Sequence, residues 1–600
     1  MNLKDALLKA YAEQGIAPPA EESEERQRTV LATGPNRQTN AVQVTYGPSV
    51  QRPRTPTNLR PADSRSNAQA PRSVAAVNLP ASNVVRDVQQ PANRPVATHA
   101  PARIVQVTNV VQRPSGAVSL APNARCLVSS AVSQAYQFLD LKMTNAVKES
   151  IEQVAKPEIH EMALGLDFGT SSVKLVISDL AADKAYAVPF YTADGIDAYL
   201  LPSRVFEVSP KAGSASDSLF NLFGGDLAFR DLKLSLLAEP ESEARQVEVI
   251  AFLALTIQRA RAWFFEQYHS IYKRVKCLWQ LRIGLPAATA LDNQYVPLLE
   301  NILRAAWQTA ALDGAIGRSA VCKIRDSVFA LEPDEDEPEV RVIPEIAAQI
   351  FGFVVSTSFD TRAANRYLMV DVGAGTVDSS LFKVVPGRGG QWNFEFYTAV
   401  VQPYGVSNLH AHRVNWWLSK FDGVEKASGL AQELKATQFA TDLGGALPVR
   451  YLDYFSGVRV NVNKSDDPDF FFFDKKLMAQ VQGSTLWRAA HDNYLDRSQL
   501  TNIPMFLCGG GARSPFFLEL EEKLVSLSGF SWLSAEPWQL GYPGDLVSEG
   551  IDEKDFDRLS VAYGLSKLNV GTITQAVPLP KVPIETQVSF TDRYVDKDQT

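Results

Sequence analysis

Residues 163–180 read ALGLDFGTSSVKLVISDL, and residues 367–384 read YLMVDVGAGTVDSSLFKV. Each opens on an apolar run of strand length and reaches an Asp followed by a glycine-containing turn. Each then returns as a second strand rich in Val, Ile, Leu and Phe. The chain folds back into a strand instead of entering a helix, so neither stretch is a nucleotide P-loop. Two matched hairpins about 200 residues apart imply an internal duplication, one copy in each of two lobes.

The turns have the chemistry of a phosphate cradle. A polyphosphate needs backbone N–H groups that no Cβ obstructs, which Gly169, Gly373 and Gly375 supply, with Ala374 the smallest alternative. Thr170, Ser171, Ser172 and Thr376 add hydroxyls. Asp167 and Asp371 repel phosphate, so their natural partner is a metal; magnesium binds through carboxylates, phosphate oxygens and retained waters. A third glycine cluster lies in IPMFLCGGGARSPFFLELEEKL, residues 503–524. It reads as a strand, a turn at Gly509, Gly510 and Gly511, and a helix begun near Ser514 and Pro515. Such a helix entry lets a base or ribose lie against backbone, and Arg513 can stack on the base.

The surrounding chain is electrically divided. Its net charge of -8 hides residues 26–125, which carry thirteen Arg, no Lys and only Asp63 and Asp87, a net of +11. The first 125 residues hold 14 of the 35 Pro, no Phe or Trp, and only Tyr11 and Tyr46 as aromatics, too little apolar surface to offset chain entropy. The expectation is a short amphipathic helix over 1–16, a docking peptide or a frayed terminus. A disordered Pro/Arg-rich linker follows over 17–125, either solvated or in contact with a polyanion. Accessory helices are expected over 126–160, with Val132, Tyr136, Leu139, Leu141, Val147, Ile151 and Val154 as apolar positions. One lobe then spans 161–365, a second 366–570, and a tail 571–600. Four well-separated Cys argue against a disulfide framework or zinc site. No secretory signal or apolar run of membrane-spanning length is evident, which leads to a cytoplasmic expectation without membrane contact.

Several other features have structural readings. Phe470 to Phe473 read as a buried strand or helix start, and Trp416 and Trp417 as split between the core and the surface of a helix. The acidic run 334–337 reads as a solvated loop, and His410 and His412 as unconnected with metal.

The three glycine segments, in this order, resemble the nucleotide-binding domain of the actin, hexokinase and heat-shock chaperone superfamily. They are most similar to its seventy-kilodalton heat-shock chaperone (DnaK-type) branch over about residues 162–570. LGLDFGTSSV resembles the first phosphate loop, VDVGAGTVD the second and LCGGGARSP the adenosine loop. LLPSRVFEV (200–208), LRIGLPAAT (281–289) and RLSVAYGLS (558–566) resemble further segments of that branch. RDLKLSLL (230–237) resembles the segment with the family's catalytic lysine, which falls on Lys233. VIPEIAAQIFGF (342–353) resembles the helix whose glutamate positions the attacking water, which falls on Glu345. The chain departs from the pattern in several places. Ile346 stands where a proline is expected after the acid, and PYGVSNLH (403–410) keeps Gly405 but has Val406 at the second glycine. AQELKATQF (431–439) offers Lys435 toward adenosine, and only about 30 residues follow the domain, too few for a peptide-binding region.

The resemblance implies a two-lobed actin-like ATPase fold of duplicated ribonuclease-H-like lobes, binding ATP or ADP with Mg2+. Asp167 and Asp371 would hold the hydrated metal, Lys233 would stabilise the transferring charge, and Glu345 with Asp378 would orient water. The implied function is a slowly hydrolysing, chaperone-like nucleotide switch coupled to a protein partner or client. An actin-like polymerising scaffold is the alternative, and a small-molecule kinase is a third reading without specific support.

Overall fold

The computed structural model describes residues 44–45, 118–129, 136–145, 156–210, 217–291, 294–334, 337–438, 447–527 and 530–579. The helix expected over 1–16, most of the Arg-rich stretch, Val132, Val147, Ile151, Val154 and the tail from 580 lie outside them. The protein is an α/β chain with two large mixed sheets.

The strands run in chain order as follows. β1 (Val44–Thr45) and β2 (Val118–Cys126) come first. The hairpin strands β3 (Glu158–Phe168), β4 (Ser172–Asp179) and β5 (Lys184–Ala187) follow. After the short β6 (Leu201–Pro202), strands β7 (Val205–Val208), β8 (Leu219–Asn221) and β9 (Leu227–Phe229) form a small sheet. β10 (Val275–Leu285) and β11 (Glu339–Pro344) complete the first half. The second half contains β12 (Arg366–Val372), β13 (Val377–Pro386), β14 (Trp392–Gln402) and β15 (Phe455–Val460). It ends with β16 (Ile503–Cys508), β17 (Ala535–Trp538), β18 (Leu546–Val547) and β19 (Val570–Gln575).

The first large sheet has the order β11-β10-β3-β4-β5-β18, with β6 also on β4; the second has β1-β19-β14-β13-β12-β16-β17. In each, three successive strands form an antiparallel meander, one later strand joins its first strand in parallel, and a further strand pairs in parallel with that one. Parallel neighbours need long crossovers. In the first sheet the crossover includes the helix Glu243–Gln267, buried over most of its length, whose Val249, Ile250, Phe252, Leu253 and Phe264 fill the core against β3 and β10. β3 is buried continuously from Met162 to Phe168, as expected of a central strand covered on both faces.

Two helices cross between the halves. Glu345–Gln349 leaves β11 and packs Ile346, Ala347 and Ala348 in one cluster with Tyr367, Met369 and Phe382 of the second sheet. Ser560–Lys567 comes late in the chain yet lies on β3 and β4 of the first sheet. Glycine permits both approaches. A Cβ on Gly165 would strike the Ala562 carbonyl, and one on Gly564 would strike the carbonyl of Ala348. Arg282 of β10 donates to the carbonyls of Leu565 (3.2 Å) and Leu568 (3.0 Å), satisfying the end of the second crossing helix.

Two expectations are corrected. The linker expected to reach 125 instead ends in β2, which pairs antiparallel with β15. Val118, Leu120 and Cys126 pack beside Val414, Trp417 and Phe455, so tertiary burial overrides a sequence with Pro122 and no aromatic. In the described part of the expected accessory helices, 136–142 forms no helix and Met143–Asn145 makes a single 3-10 turn; Phe138 bridges Tyr191, and Tyr136, Leu139 and Leu141 pack on the first core.

Phe472 and Phe473 are buried in a π-helical stretch, Phe471–Leu477, while Phe471 is exposed. Trp417 is buried and Trp416 only partly so, the split expected. In the acidic run, Glu337 is engaged by Arg304 and Gln308. No helix among the described residues is long and apolar enough to cross a membrane.

Candidate functional site

The two glycine hairpins meet at their turns. In the first, the ladder sets Asp167 opposite Lys174, and Lys174 Nζ lies 2.9 Å from Asp167 Oδ2. In the second, Asp371 faces Asp378, and the Gly373 N–H donates to the Thr376 carbonyl at 2.9 Å to close the turn. A Cβ on Gly375 would lie 3.2 Å from Thr170 Cγ2, so the turns are in van der Waals contact.

The crossing helix Glu345–Gln349 ties these turns to a lysine. Lys233, on the short helix Leu232–Ala238, donates to Glu345 Oε1 at 2.5 Å, with both side chains little exposed. Gln349, one helical turn beyond Glu345, donates from Nε2 to Asp371 Oδ2 at 3.4 Å. Asp378 accepts the Ala287 N–H at 3.0 Å on one oxygen and the Ser380 hydroxyl at 3.2 Å on the other.

Acid charge is concentrated here. Desolvation, then Glu345 and Asp167, push Asp371 up to about 7. Desolvation, with Glu345 and Asp371 nearby, pushes Asp378 up to about 7 as well. Glu345 is also raised, chiefly by desolvation and against the opposing pull of Lys233. Asp167, Glu345, Asp371 and Asp378 thus act on one another in a setting that also feels Lys174, Lys233 and Arg558, and additional positive charge would stabilise their ionised forms.

The helix Val406–Phe421 closes on the second turn. The N–H groups of Gly405, Val406 and Ser407 donate to the carbonyls of Gly375, Gly373 and Ala374 at 3.3, 3.2 and 2.8 Å, and Asn408 Nδ2 donates to the Gly375 carbonyl at 2.6 Å. Gly405 is required because a Cβ there would stand 2.5 Å from the Ala374 oxygen.

The third cluster borders the same recess. Gly509 has φ +86, and a Cβ on it would collide with Asp371 Oδ1. Gly511 packs under Val372 and Val406, and the turn leads through Ser514 into the helix Pro515–Val525.

Several groups here are unsatisfied. Ser172 Oγ and Gln349 Oε1 are buried without a hydrogen-bond partner. The N–H groups of Thr170, Ser171, Ala374 and Gly375 donate to no described backbone carbonyl. These donors, with the carboxylate excess, fit an oxyanion accompanied by a cation. Among the described residues no three His, Cys, Asp or Glu side chains are placed to hold a metal directly. Binding through waters and phosphate oxygens, as magnesium prefers, makes no such demand.

The structure therefore brings together Asp167, Gly169, Thr170, Ser171, Ser172, Lys233, Glu345, Asp371, Gly373, Ala374, Gly375, Thr376, Asp378, Gly405 and the three glycines 509–511. Arg513 borders the recess but is held in ion pairs by Asp555 and Asp557. Lys435 is exposed on the helix Ser428–Thr437, which packs on the Val406–Phe421 helix and β2.

Three residues escaped the sequence reading. Lys174 could have been found by counting the hairpin register from Asp167, and Gln349 by its i,i+4 relation to Glu345. Arg558, whose guanidinium carbon would lie 2.9 Å from a Cβ on Gly510, carries no local signal. No protein-family model matches this chain, and no curated protein matches it.

Proposed function

We propose that the chain is an ATP-binding, slowly ATP-hydrolysing nucleotide switch with the two-lobed actin-like architecture of the heat-shock chaperone branch. The observation that carries this reading is the meeting of Asp167 and Asp371, from matched hairpins, beside the Lys233–Glu345 pair. The repeated strand order of the two sheets and the two crossing helices support a duplicated pair of lobes that can close on a ligand.

Asp167 and Asp371 would hold a magnesium ion brought in with the nucleotide. When bound, that ion supplies neutralising charge to the phosphates. The free N–H groups and hydroxyls of the two turns cradle the phosphates, and Gly509–Gly511 receive the adenosine. Lys233 offsets charge that develops on the transferred group. Glu345 and Asp378, both raised toward protonation by burial, orient a water and take its proton. Closure changes the relation of the two crossing helices and so presents a different surface to a protein partner.

The test is ATP hydrolysis by the full chain and by Lys233→Met. The reading expects slow, magnesium-dependent turnover by the parent chain and loss of at least tenfold in the variant, the usual scale for one electrostatic contact. Equal turnover by both would sink the assignment. ATP-dependent sedimentation in the same samples would instead favour a polymerising scaffold.

A further inference from the structure

Two arginines border the glycine cluster, and their circumstances differ. Arg513 is committed to Asp555 and Asp557. Arg558 closes the short 3-10 turn Glu553–Arg558 and lies directly over Gly510, within about van der Waals distance of where a Cβ would stand. Its side chain is partly buried, yet among the described residues no carboxylate lies within 4.0 Å of it and no acceptor takes its hydrogen bonds. Its five donors are left to solvent or to a ligand.

The surroundings indicate which ligand. Asp371 stands against Gly509 and Arg558 against Gly510, so a carboxylate and a cation flank consecutive peptide units of the same turn. Desolvation disfavours the charge of Arg558 and Arg513 adds to that; Asp557 first, and then Asp167 and Asp371, pull the other way. The free N–H groups of Thr170, Ser171, Ala374 and Gly375 belong to the turns that carry those two acids. Arg558 thus stands on the glycine next to the one that meets Asp371, and a planar guanidinium suits a bidentate contact with phosphate.

We infer that Arg558 is a polyphosphate-recognising residue of this site, placed beside the glycine turn to make a forked contact with the phosphates of a nucleoside di- or triphosphate. This rests on the nucleotide-binding reading above and names a residue that reading does not require. Its positive charge beside the turn that meets Asp371 also opposes a cation there until phosphate draws it away.

The experiment is calorimetric titration of the full chain, and of Arg558→Gln and Arg558→Lys, with three separate probes: Mg–ADP, adenosine, and Mg2+ alone. Arg558→Gln is expected to weaken Mg–ADP by about tenfold to a hundredfold, the scale of a charge-assisted contact. Adenosine affinity stays within about twofold, and Mg2+ alone binds more tightly because its competitor is gone. Arg558→Lys, which keeps the charge and loses the fork, falls between. A folding defect cannot weaken one ligand and strengthen another.

Equal losses for adenosine and Mg–ADP, or no loss for Mg–ADP, would overturn the assignment while leaving the nucleotide site intact. A parent chain that binds Mg2+ but no adenine nucleotide would overturn the nucleotide reading, and this assignment with it.

Discussion

Replacing Asp371 by Asn should stabilise the protein in the absence of nucleotide, and the gain should depend on pH. Asp371 is pushed from 3.8 to about 7 by desolvation and by the nearby Glu345 and Asp167. Between those two values the folded state binds a proton that the unfolded state does not. Stability therefore falls as pH rises through this window, and the penalty is fully present above about pH 7. At 1.4 kcal/mol per tenfold change, ionising Asp371 at about pH 8 costs roughly 4 kcal/mol, an upper figure because the carboxylate is only partly buried. Near pH 5.5 the cost is roughly 2 kcal/mol. Asn is nearly isosteric and uncharged, so its advantage over the parent should shrink by about 2 kcal/mol between these conditions, whatever constant offset the amide adds. Thermal melting followed by scanning fluorimetry at both pH values reads this as a converging pair of midpoints. A variant whose difference from the parent does not change with pH would refute the argument that Asp371 is held at an electrostatic cost.

Two further outcomes are expected. Gly509→Val forces a side chain into the Asp371 carboxylate from a backbone at φ +86, so nucleotide binding measured by calorimetry should be abolished, with a stability loss of several kcal/mol; retained affinity would contradict the close approach. His410 is buried between Tyr454 and the Thr437 carbonyl and is pushed down to about 4, chiefly by desolvation. Its unfolded state binds the extra proton, so it removes stability as pH falls from about 6.5 toward 4, up to about 3 kcal/mol and opposite in sign to Asp371. His410→Gln should flatten that limb of the melting curve, and an unchanged acid limb would rule out this source.

The hairpins were legible because their signal is local: an apolar strand, Asp, a small-residue turn and a returning strand. The third cluster was legible because Gly509–Gly511 sit between a strand and Ser514–Pro515, a helix entry that needs no knowledge of distant residues. Contacts made across the fold were hidden. Nothing near Arg558 announces that it will lie on Gly510, and nothing in VSLAPNARC at 118–126 announces a strand until β15 and Trp417 are beside it. The 136–142 stretch could have been read better. Tyr136 and Phe138 alternate with Gln137, a period of two, and Phe138 bridges Tyr191 in a chain without a helix there. Lys435 sits on the exposed side of a helix that packs on the Val406–Phe421 helix and β2.

The central claim is that the two hairpins form one magnesium–nucleotide site, and calorimetry of ATP binding to the full chain with Mg2+ and with chelator tests it most directly. The account predicts binding with Mg2+, weakening of at least tenfold without it, and proton release near pH 7 as the bound cation drives Asp371 to ionise. Absence of heat and of competition by ADP at millimolar ATP, in a chain that melts cooperatively, would contradict it.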